Sequence, residues 1–101
     1  MNKATERRVR ASLHKLEGKL FDGILYLEAE EQLPEHERGH YLIELDELDI
    51  DEDLQDYIDL KKWGVLASAY LQRATQRSFF AEFDDAIQIN GMSPAFYFTL
   101  N

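Results

Sequence analysis

Across residues 4–32 the apolar side chains return at Val9, Leu13, Leu16, Leu20, Ile24 and Leu27, in steps of 4, 3, 4, 4 and 3. That spacing keeps all six on one side of an α-helix. Phe21 and Leu25 widen the stripe into a core-facing band. Thr5 is the expected N-cap, and Leu33-Pro34 closes the helix, because the residue before a proline avoids helical backbone. Gly18 and Gly23 each weaken such a helix by about 1 kcal/mol relative to alanine. Asp22-Gly23 also fits a type I′ hairpin turn between two apolar runs. Helix is preferred, since the 3/4 spacing crosses both glycines unbroken.

Residues 40–45, H-Y-L-I-E-L, are short and bulky and read as a strand. Ile50, Leu54 and Ile58, four apart, predict a helix over 51–62. Asp49 or Asp51 would be its N-cap, and Lys61 and Lys62 would sit at its C-terminal end, where cations suit the helix dipole. Trp63-Gly64 reads as a break, followed by a helix over 65–76 with Leu66, Ala69, Tyr70 and Ala74 on one face. The tail alternates loosely through F-F-A-E-F and A-F-Y-F-T-L, and Asn90-Gly91 and Pro94 punctuate a terminal hairpin. The expected fold is α+β in a single domain over residues 1–101: a long N-terminal helix, a central strand, two further helices and a C-terminal β-hairpin. A mostly α chain with a short β appendage is the alternative.

Composition narrows the classes. A chain of 101 residues is the size of one domain, and 45% hydrophobic content suffices for a core. Without cysteine there is neither a disulfide nor a thiolate ligand, which fits the cytoplasm. No apolar run exceeds four residues, too short to span a membrane. Charge changes the picture most. The net charge of -9 divides into +4 over residues 1–19, -14 over 20–60 and +1 over 61–101. An acidic centre disfavours nucleic acid as a partner and favours a basic protein surface.

Within that centre, residues 44–59 carry nine carboxylates and no base. On the predicted helix Asp49, Glu52, Asp56 and Asp59 step by 3, 4 and 3 into one stripe about 15 Å long. Its charge spacing approaches the roughly 3.4 Å per charge of one DNA strand. Like charges so placed cost a helix about 0.2–0.5 kcal/mol per pair, so a stripe without interspersed lysines suggests an interaction surface. A solvated face that keeps the chain in solution is the plainer reading. The partner-binding candidates are Glu44, Asp46, Glu47, Asp49, Glu52, Asp53, Asp56 and Asp59.

Two motifs offer other chemistry. His36-Glu37-Arg38-Gly39-His40 matches H-E-x-x-H, in which two histidines one helical turn apart hold zinc and the glutamate serves as general base. Glu82 or Glu44 would be the third ligand. Against it stand Pro34 just upstream, Arg38 where the zincins usually carry an uncharged residue, and Gly39. Asp49, Asp51 and Asp53 alternate as at the start of an EF-hand, but Leu54 and Leu60 occupy the positions that need glycine and glutamate, so that reading is rejected. No nucleophile constellation or phosphate loop is present in the sequence. Lys3, Arg7, Arg8, Arg10, Lys15 and Lys19 make the first helix basic, fit either to touch DNA or to pair with the acidic centre.

The expectation is therefore a small, non-catalytic, cytoplasmic protein, with no cofactor or metal, that binds and inhibits or modulates a basic protein of a nucleic-acid-handling complex. Occlusion or nucleic-acid mimicry would be the mechanism. In size and charge the chain resembles the acidic inhibitors of phage and mobile elements. A zinc peptidase built on His36, Glu37 and His40 is the first alternative. The second is a DNA-binding regulator using Arg7, Arg8 and Arg10. A homodimer through the Leu13/Leu16/Leu20/Ile24/Leu27 stripe is also expected as an option.

Overall fold

A computed structural model of the chain describes residues 2–34, 36, 40–84 and 94–101. Helix α1 (Lys3–Glu30) is followed by strand β1 (Tyr41–Glu44), two 3₁₀ segments (Leu45–Leu48 and Glu52–Tyr57), helix α2 (Leu60–Thr75), and strands β2 (Phe79–Asp84) and β3 (Ala95–Leu100). The fold is α+β, as the sequence implies.

Helix α1 runs without interruption through Asp22-Gly23, which removes the hairpin alternative. Its cap is Asn2 rather than Thr5: the Asn2 carboxamide oxygen accepts from the Thr5 backbone N–H at 2.8 Å. Leu16, Leu20, Ile24 and Leu27 are buried, and Val9 and Leu13 pack against the same cluster. Phe21 and Leu25 remain 43% and 51% exposed, so the buried band is narrower than the pattern suggests. The leucine stripe is consumed by this chain's own core and is not left over for a helical dimer.

The sheet is antiparallel with the order β1-β3-β2. The C-terminal pair forms as expected, in register from Phe79 opposite Leu100 to Asp84 opposite Ala95. Asn90-Gly91, the expected turn, lies outside the described residues. The central strand of the sequence is an edge strand in space, pairing Tyr41 with Phe98 and Ile43 with Phe96. Strand alternation puts Tyr41, Ile43, Phe79, Phe83, Phe96 and Phe98 on one face. Both helices pack on that layer, and the core draws on every element except the second 3₁₀ segment.

Gly23 is where α1 meets the sheet. A Cβ there would collide with Cζ of Phe98 and lie 2.5 Å from Cδ1 of Tyr41, two rings that meet edge-on at 5.2 Å. Glycine is required for this close approach. Gly18, by contrast, has open space around it.

The middle of the chain departs most from expectation. Residues 51–62 do not form an α-helix. The second 3₁₀ segment ends at Tyr57, and α2 begins at Leu60 because the Asp59 carboxylate accepts the Lys62 backbone N–H at 3.2 Å and caps it. Lys61 and Lys62 therefore occupy the first turn of α2, not the last turn of an earlier helix. Trp63-Gly64 is no break. Both residues are buried inside α2, and Gly64 lies against the Phe96 ring. The buried face of α2 is Trp63, Gly64, Ala67 and Leu71, whereas Leu66, Ala69, Tyr70 and Ala74 face outward. The helix starts five residues earlier than predicted, and Trp63 sets which side faces the sheet.

Candidate acidic interaction surface

The acidic stretch is built from short turns pinned by single leucines. Leu48 closes the first 3₁₀ segment and is fully buried in the main core, and Leu54 is the buried residue of the second. The second segment also packs on α1. Aspartates at 51, 53 and 56 favour turns and caps over helix interiors, and Ile58 is extended, which explains why an α-helix does not propagate here.

Glu44, Asp46, Glu47, Asp49, Glu52, Asp53, Asp56 and Asp59 are all exposed. They do not form the stripe that α-helical spacing implies. Asp49 ends the first segment in left-handed backbone with φ of 49°, Glu52 and Asp56 belong to the second segment, and Asp59 caps α2. The 15 Å helical ruler is thereby withdrawn, and what remains is an ordered acidic surface folded over two turns and a cap.

Several of these carboxylates also hold the fold. The Glu47 carboxylate accepts from the Glu44 backbone N–H at 2.8 Å. Arg8 of α1 donates to Asp53 at 2.9 and 3.1 Å and to Asp51 at 2.6 Å. Asp51 occupies the expected N-cap position, but its carboxylate bonds the guanidinium instead of the segment's backbone. The hydrogen bonds from Arg8 lower the Asp53 carboxyl below its ordinary range, against a smaller desolvation effect that raises it. The same bonds, to Asp53 first and Asp51 second, raise the Arg8 guanidinium above its already high value. All three side chains are well exposed, so the pairing is a solvent-screened tether. For Arg8, the option that the basic helix pairs with the acidic centre is realised. Glu52 and Asp56 take part in none of these contacts.

Between the turns lies a cleft of about 310 Å³. Its apolar wall is Leu45, Ile50, Ile58 and Leu60, and Asp46, Asp49 and Gln55 supply polar groups. Ile50 and Ile58 were expected to be buried on a helix face. They are instead half-buried, resting on the core with one side open. The cleft is not foreseen in the sequence, and nothing there singles out Arg8 among the basic residues able to pair with the acidic centre. The signal for the cleft is the apolar series Leu45, Leu48, Ile50, Leu54, Ile58 and Leu60, which is too dense for a simple solvated surface.

In the H-E-x-x-H motif, Glu37, Arg38 and Gly39 lie outside the described residues. His36 and His40 are exposed. Glu82 is on β2, and two strand spacings separate it from β1, the strand that follows His40. Among the described residues no group of three or more His, Asp or Glu side chains is placed to hold a metal ion.

No protein-family model matches the chain, and no curated protein or solved structure matches it. Among the described residues no helix is long and apolar enough to cross a membrane.

Proposed function

We propose that this chain is a small, non-catalytic binding protein whose acidic surface over residues 44–59 docks on a basic surface of a partner protein and blocks or modulates it. The observation that carries the reading is the exposure of eight carboxylates on backbone fixed by Leu48, Leu54 and the caps. Fixed charges need no ordering on binding, so complementary charge contributes to association speed and partner choice with little entropic cost. A protein that handles nucleic acid is the natural class of partner, because its cationic groove already accepts dense negative charge. The cysteine-free composition suits a cytoplasmic setting for that encounter.

The test uses Glu52→Lys/Asp56→Lys, because these two side chains neither cap a helix nor hold Arg8. Wild-type and reversed proteins serve as bait in lysate of the source cells, at low and moderate salt. The expected result is a basic protein retained by the wild type, released as salt rises, and lost with the reversed bait. Retention of the same proteins by both baits, insensitive to salt, sinks the reading.

A further inference from the structure

We infer that the cleft between the two 3₁₀ segments is the seat of one arginine side chain from the partner, the anchor of the docking surface. The inference rests on the acidic-surface reading above and adds to it a defined position and a defined chemistry. A cleft of about 310 Å³ is at the small end of ligand-sized sites. It is wide enough for a single long side chain. Its two kinds of lining match the two parts of such a side chain. Leu45, Ile50, Ile58 and Leu60 offer apolar surface to three methylenes, and they rest against the core, so the wall is firm. Asp46, Asp49 and Gln55 complete the lining, so the cleft lies on the negatively charged part of the surface.

A carboxylate ligand would meet like charge here. A purely apolar side chain would strip water from Asp46 and Asp49 without replacing it. A cation on an aliphatic stem meets neither objection. Arginine fits better than lysine, because its planar guanidinium is weakly hydrated and leaves water for a partly apolar cleft at lower cost. Arg8 does not serve this role from within the chain. Its guanidinium is held by Asp51 and Asp53, which do not line the cleft.

The probe is n-butylguanidinium, titrated into protein labelled with ¹⁵N and with ¹³C at the Ile and Leu methyl groups, and followed by NMR. n-Butanol and butyrate are the controls, and an oligo-arginine peptide is titrated in parallel. Butylguanidinium is expected to give saturable shifts at the methyls of Ile50, Ile58, Leu45 and Leu60. Its dissociation constant should be on the order of millimolar, as befits a fragment of a few heavy atoms. Butanol and butyrate should bind at least several-fold more weakly, and Asp46→Asn/Asp49→Asn should abolish the preference for the cation. Asparagine at position 49 suits its left-handed backbone, and unchanged methyl shifts at Leu48 and Leu54 check that the double variant keeps its fold.

Equal shifts with butanol, or shifts confined to other methyls, overturn the inference. If oligo-arginine perturbs the amides of Glu52 and Asp56 while butylguanidinium leaves the cleft untouched, the cleft inference falls and the acidic-surface reading stands. If neither probe perturbs residues 44–60, both fall.

Discussion

Two regions of this molecule are held in different ways. Where α1 and α2 lie on the sheet, position is set by close packing on its aromatic rings: Gly23 against Phe98 and Tyr41, and Phe83 against Phe96. In the stretch from Leu45 to Ile58, two buried leucines, a few caps and one exposed arginine hold the chain. The first region is specified by shape, and at Gly23 a single added methyl group disturbs it. The second is specified by local turn chemistry and leaves its charges outward. The difference teaches that a surface dense in like charge can be ordered without an α-helix, provided each turn has one apolar anchor.

That contrast can be broken at graded points. The largest effect is expected from Phe96→Ala, which empties the centre of the sheet–helix core and should cost about 3–5 kcal/mol in chemical denaturation. Leu54→Ala should cost less globally, and hydrogen exchange should show faster opening of residues 52–57 while α1 stays protected. Should Leu54→Ala instead abolish folding, the two regions are not separately held.

The glycines give the next comparison. Gly23→Ala is expected to destabilise by about 1–3 kcal/mol through overpacking against Phe98 and Tyr41. Gly18→Ala meets open space, and Gly64→Ala meets only ordinary contact, so each should stabilise by about 0.5–1 kcal/mol in thermal melts. A Gly23→Ala protein as stable as Gly18→Ala would contradict the close approach of α1 to the sheet.

Loss of the α2 cap in Asp59→Ala should cost about 1 kcal/mol, read by denaturation. The smallest effect belongs to Arg8→Ala, which should shift the NMR resonances of residues 51–54 with little change in global melting, and less at high salt. The pH dependence follows from the same pair. Because folding lowers the Asp53 carboxyl, its contribution is fully present above the ordinary carboxylate pKa of about 4 and is lost as pH falls through the lower folded value. Arg8→Ala should flatten that acid limb of the stability profile. An unchanged limb means that Asp53 is not held by Arg8.

The periodicity of α1 carried most of what could be read in advance, because a long stripe of leucines at 3/4 spacing has only one regular solution. The α+β class and the C-terminal strand pair were legible for a similar reason. The boundaries near Asp59 and Trp63 were not. Capping by Asp59 and burial of Trp63 are decided by tertiary contacts, and Ile50, Leu54 and Ile58 have the spacing of an α-helix without forming one. For the acidic surface, the exposed carboxylates were legible as charge. Their geometry was not, since it depends on turns and on Arg8, a residue more than forty positions away.

The central claim is that residues 45–58 form a fixed negative surface and not a loose acidic tether. Backbone ¹⁵N relaxation tests it most directly. The account predicts order parameters of about 0.8 or above across these residues, close to those of α1. Values below about 0.6 through Glu52 and Asp56, with α1 rigid in the same sample, would contradict it.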